Sequence, residues 1–134
     1  MKIFVDASLI VYLNVKMPEK EAELIEKFWL DLLTHHSLYT NILVLDEVIY
    51  VSKKKYEVSI EDTLELIDKA VLPYVDILPI GLSEYLKARE MMKKYNLKPS
   101  DAIHVATMEN YGLQAIASED KNFDIIGVKR LWIK

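Results

Sequence analysis

From its N-terminus the chain alternates short runs of β-branched and apolar residues with longer stretches whose apolar positions recur every three or four residues. KIFVD (2–6) is such a run and predicts a strand ending at Asp6. Ser8 is placed to cap a short helix through about Asn14. Pro18 precedes EKEAELIEKFWLDLLTHH, where Leu24, Phe28 and Leu32, with Ile25 and Trp29 beside them, keep the spacing that makes one helical face apolar. SLYT (37–40) reads as a second strand, and ILVLDEVIYVSKKKY (42–56) as a helix ending in a basic turn. Ser59, with Asp62 three positions on, gives a near relative of the capping box at the head of SIEDTLELIDKAV, which Pro73 closes. VDILPI (75–80) is a third strand. Ser83 is placed to cap SEYLKAREMMKKYNL, and Pro99 stands early in the next helix, which Gly112 ends. LQAIAS (113–118) and VKRLWIK (128–134) supply the fourth and fifth strands.

Strands alternating with helices of this length need crossover connections, and hence a mainly parallel sheet. The expected fold is α/β: a three-layer α/β/α sandwich around five strands, formed by one domain over residues 1–134. The pattern leaves the strand order open. Composition agrees: 51% hydrophobic, 28% charged, with only 3 Gly and 4 Pro, it is that of a globular chain. No window is apolar and long enough to span a membrane, and Asp6 interrupts what could have been a signal segment. Without cysteine there is neither a disulfide framework nor a thiolate metal site, which fits a cytoplasmic protein. The net charge of −4 argues only weakly against a nucleic-acid partner, because the lysines cluster at 53–55 and at 93, 94 and 98.

Four acids stand out. Ligands of open parallel sheets bind beyond the carboxyl ends of the strands, where helices begin. Asp6 ends the first strand, Asp120 follows the fourth, and Asp101 lies in the first turn of the helix leading into that strand. All three are expected on one rim. Glu47 has Leu43, Val44, Tyr50 and Val51 as helical neighbours and so falls on or beside an apolar stripe; Asp46 competes for the same role. Each acid alone has a modest explanation, such as easing a helix dipole or closing an Asx turn. Their convergence on one crevice does not. Clustered carboxylates raise one another's pKa, and a divalent cation removes the conflict. Oxygen donors without Cys or a histidine pair suit Mg²⁺ or Mn²⁺, and phosphodiester hydrolysis is the reaction class that follows.

FVDASLIVYL, TNILVLDEVIY, LKPSDAIHVATMENYG and AIASEDKNFDII with VKRLW, in this order and over essentially the whole chain, resemble the motifs of PIN-domain proteins, and the small prokaryotic VapC-type toxins above all. The resemblance implies metal-dependent ribonuclease activity and carries the family's acidic positions onto Asp6, Glu47, Asp101 and Asp120. It implies one or two Mg²⁺ or Mn²⁺ ions, an RNA substrate, a cognate antitoxin and a homodimer. Ser118 matches a small hydroxyl position that supports such sites; Ser8 and Asp124 are further accessory candidates. The chain departs from the pattern at Glu119, where relatives often carry Arg or Thr.

His104, one turn after Asp101, is read as a packing residue, and the lysines at 53–55 as a solvated helix end, with RNA contact the minority reading. Three glycines allow neither a Walker nor a Rossmann loop, and there is no G-x-S-x-G elbow. The alternative to an enzyme is a non-catalytic PIN-like module that binds RNA or protein. A phosphoaspartate hydrolase ranks last, because the position two after Asp6 holds Ser8.

Overall fold

A computed structural model describes residues 1–133. Its frame is a five-stranded sheet of order β3-β2-β1-β4-β5 in which every neighbouring pair is parallel. The strands are β1 (Lys2–Val5), β2 (Ser37–Asn41), β3 (Val75–Leu78), β4 (Ala115–Ala117) and β5 (Lys129–Leu131). Ile3, Phe4 and Val5 of the central strand are fully buried, as a run apolar on both faces requires. The order that the pattern left open has a consequence: the chain builds outward from β1 to β2 and β3, then crosses to β4 and β5. The topological switch therefore lies between β1 and β4, where Ile3 pairs with Ala115 and Val5 with Ala117.

Helices cover both faces of the sheet. They are α1 (Ala7–Asn14), α2 (Glu19–His35), α3 (Ile42–Tyr56), α4 (Ile60–Leu66), α5 (Leu82–Tyr95), α6 (Pro99–Tyr111) and the short α7 (Asn122–Ile125); α4 runs on into a π-helical turn, Ile67–Val71. α1 packs on α2 and α3, and α3 on α4. α5 and α6 form a separate close pair through Ala88, Ala102 and Ala106, small side chains that let the two backbones approach.

Two expected caps are corrected. Ser8 does not cap α1: Asp6 does, in extended conformation with its own Oδ1 accepting from Ala7 N at 2.8 Å, which leaves Ser8 inside the helix. Ser83 does not cap α5 either. Gly81 holds that position, its N–H donating to Glu84 Oε1 at 2.7 Å, while Ser83 Oγ accepts from Asn110 Nδ2 at 3.1 Å. Ser59 does cap α4, accepting from Asp62 N at 3.1 Å. On α2 the buried stripe is Ile25, Trp29 and Leu32; Leu24 lies 46% exposed on a groove with Phe28, Leu30 and Ile133. The fourth and fifth strands are shorter than predicted, and Lys134 of the fifth lies outside the described residues.

Candidate active site

A crevice of about 210 Å³ opens at the switch point, and Asp6, Glu47, Asp101 and Asp120 all line it. Each acid arrives by a different local device. Asp6 is the cap between β1 and α1, nearly buried, and Ser118 Oγ donates to its Oδ2 at 2.6 Å. Ser118 follows β4, is fully buried, and also accepts from Asp120 N at 3.0 Å, so one hydroxyl fastens two acids from adjacent strands. Asp120 Oδ1 closes an Asx turn on Asn122 N at 2.9 Å. Asp101 stands in the first turn of α6, where Pro at the first helical position presets the backbone. Glu47 lies half-buried on α3, whereas Asp46 points to solvent, which separates the two competitors.

The electrostatics are those of an uncompensated acid cluster. Burial, and after it the charges of Asp6 and Asp120, push the Asp101 carboxyl up to about 7, against the opposing pull of Lys98; Glu47 adds to the rise. Asp101 Oδ2 is buried with no hydrogen-bond partner. Glu47 is also raised, by burial first and by Asp6 second, with Lys98 again opposing. Among the described residues, no three carboxylate or imidazole groups stand close enough to form a finished cage for a metal. Mg²⁺ asks for only one or two direct carboxylates because it keeps several waters. An orphaned buried oxygen, raised pKa values and an all-oxygen donor set fit a hard divalent ion.

His104 is buried, with its ring centroid 5.1 Å from that of Phe4. The sequence reading as a packing residue is correct but incomplete. Asn41 caps α3 with its Oδ1 accepting from Val44 N at 3.1 Å, which fixes the amide and directs Nδ2 at His104 Nδ1, 3.2 Å away. The imidazole therefore accepts at Nδ1 and carries its proton on Nε2, which faces Asp6 Oδ1 at 3.9 Å. Burial holds the His104 pKa below its ordinary value, with the Asp6 charge in opposition. Nothing in the spacing of Asn41 and His104 announces this link, because 63 residues separate them.

Of the accessory candidates, Ser8 lines the crevice and accepts from Glu119 N at 3.2 Å. Asp124 does not line it: on α7 it grips Arg130, Nε to Oδ1 at 3.0 Å and Nη2 to Oδ2 at 3.2 Å, while Arg130 Nη1 donates to Ser118 O at 3.2 Å. Glu119 lines the rim, but the Tyr12 hydroxyl donates to it at 2.6 Å, so its charge is already engaged. Lys55 and Lys98 share the crevice with the acids.

The family model for the PIN domain matches residues 3–129. The chain belongs to the PIN-domain family. A VapC ribonuclease of Mycobacterium bovis is 33% identical over 99 residues, covering 70% of this PIN chain and 72% of the relative. Among solved structures, VapC20 of Mycobacterium tuberculosis, a toxin that cleaves the sarcin-ricin loop, superposes with a TM-score of 0.77 at 17% identity, over 94% of this chain and 95% of that one. VapBC2 of Rickettsia felis, solved on a DNA fragment from its promoter, gives a TM-score of 0.71 at 16% identity over the full length of both chains. The fold is thus a PIN fold, and by its sequence relatives this PIN protein is a VapC-type nuclease.

Proposed function

We propose that this chain is a metal-dependent endoribonuclease that hydrolyses RNA phosphodiester bonds, as the toxin of a toxin–antitoxin pair. The observation that carries the reading is the buried, unpartnered Oδ2 of Asp101 in a crevice shared with Asp6, Glu47 and Asp120. An oxygen left without a donor costs stability unless a cation completes it. Asp6, Glu47, Asp101 and Asp120 would hold one or two Mg²⁺ or Mn²⁺ ions, which supply Lewis-acid polarisation of the phosphate and acidification of water. The protein's own part is preorganisation. Ser118 and Ala7 N hold Asp6 in one rotamer, Ser118 ties Asp120 to the same point, and His104 backs Asp6 from the core. Lys98 offsets part of the carboxylate charge that would repel a polyanion.

The same reading gives the protein one domain, a homodimeric state, a cognate antitoxin and a cytoplasmic location; among the described residues no helix is long and apolar enough to cross a membrane. The non-catalytic alternative rests on the acidic balance of the chain and on Glu119; the Tyr12 hydroxyl engages the second of these. The test is cleavage of a labelled mixed-sequence RNA with Mg²⁺, Mn²⁺ or EDTA, beside Asp101→Asn purified identically. Cutting that needs metal and disappears in the variant supports the enzyme. A folded wild type that neither cuts RNA nor binds Mn²⁺ refutes it.

A further inference from the structure

Besides the four acids, the crevice is lined by facing turns of α1 and α3, with Val11 and Tyr12 on one side and Val51, Lys55 and Tyr56 on the other. Glu47, Val51 and Lys55 recur every four residues on α3, so they share one side of the helix, with Lys55 about 12 Å along the axis from Glu47 at 1.5 Å per residue. That spacing suits a neighbouring group on the same strand.

This part of the lining combines a cation, a ring and apolar wall. Lys55 is exposed, and among the described residues no carboxylate lies within 4 Å of its ammonium. Its Nζ rests 5.4 Å from the ring centroid of Tyr56, a weak contact at an exposed site that a phosphate can displace. Tyr12 is a fixed wall: its hydroxyl is bonded to Glu119 and its ring lies 6.1 Å from Trp132. Lys53 and Lys54, from the same basic turn, do not line the crevice. A nucleotide presents this combination in complement, a flat base linked to an anionic phosphate, whereas an acidic peptide would use the charge alone.

We propose that this part of the crevice is a subsite for a nucleotide of single-stranded RNA flanking the bond that is cut, with Lys55 on its phosphate and the Tyr56 ring against its base. The proposal rests on the ribonuclease reading. Its signature is ionic: each phosphate contact to a single strand contributes about 0.7 to the slope of log affinity against log salt.

Binding of a short fluorescein-labelled mixed-sequence RNA would be followed by anisotropy in Mn²⁺ across a salt series, in an Asp101→Asn background so that bound RNA stays intact. Adding Lys55→Ala is expected to weaken binding several-fold and lower the slope by about 0.7, and Tyr56→Leu to weaken binding with the slope kept. Lys54→Ala makes the same charge change outside the crevice and is expected to leave the slope near that of the parent. Equal slopes for Lys55→Ala and the parent, or equal losses for Lys54→Ala and Lys55→Ala, overturn the subsite while leaving the nuclease standing. A parent that binds no RNA, together with a wild type that cuts none, overturns both. Circular dichroism of each variant separates lost binding from lost fold.

Discussion

Asp101 shows how one side chain can serve a helix and a site together. In the first turn of α6 its charge favours the helix dipole, yet the same position buries it among three other acids. The consequence is a pH-dependent cost. With a folded pKa of about 7 against an ordinary 3.8, Asp101 keeps its proton in the folded protein where the unfolded chain has lost it. The folded state then binds more protons, so metal-free stability falls as pH rises from the ordinary value through about 7. Asp101→Asn removes that slope. In urea melts with EDTA at about pH 8, the variant is expected to be more stable than wild type by about 2 kcal/mol, roughly half the full linkage value because crevice water screens the charge. The gain should vanish near pH 4. A variant less stable than wild type across the range would mean that Asp101 is structural.

Asn41 is where one element's end governs another element's chemistry. Its Oδ1 caps α3 and its Nδ2 sets the tautomer of His104 on α6, with Thr107 Oγ1 also within 3.3 Å of that nitrogen. Asn41→Asp keeps the cap but places an acceptor opposite His104 Nδ1, which moves the imidazole proton to Nδ1 and withdraws it from the Asp6 side. Long-range ¹H–¹⁵N spectra should show Nε2–H in wild type and a protonated Nδ1 in the variant. Asn41→Ala should cost about 2–3 kcal/mol, from the lost cap together with a buried acceptor left unmet. Asp124 makes the opposite case. Its exposed pair with Arg130 ties α7 to β5, so Asp124→Ala is expected to keep RNA cleavage where Asp120→Asn loses it. These contrasts mark what the sequence could carry. The alternation of runs gave the three layers, and the ends of the runs gave the rim, because a carboxylate at a strand end or in a first helical turn has few places to go. Caps were harder to read: Ser8 and Ser83 have the right chemistry, but Asp6 and Gly81 were already in extended conformation two residues earlier. The Asn41–His104 link, the Tyr12–Glu119 bond and the Asp124–Arg130 pair depend on strand order and on α7. Hydrophobic periodicity encodes neither.

At the scale of the whole molecule, a net charge of −4 is set against a polyanionic substrate, and the distribution of charge decides the outcome. Four carboxylates line the crevice at the β1/β4 switch, and among the described residues Lys55 and Lys98 are the cations that line it with them. A divalent ion bound there, as proposed, would act on the fold through linkage, because the unfolded chain has no such cluster to offer. At one hundred times its dissociation constant it adds about 2.7 kcal/mol. For a chain of this size, that is a rise in melting temperature on the order of 5–10 °C. Calorimetry of the wild type in EDTA and then in excess Mn²⁺ should show the rise. Asp101→Asn should begin from a higher melting temperature in EDTA at about pH 8 and gain much less from the ion, since relief of carboxylate repulsion and creation of the cation site have the same cause. The two effects are therefore tied. A variant that gains as much from Mn²⁺ as wild type does would place the ion elsewhere on the molecule, and the carboxylate crevice would lose its claim to the chemistry.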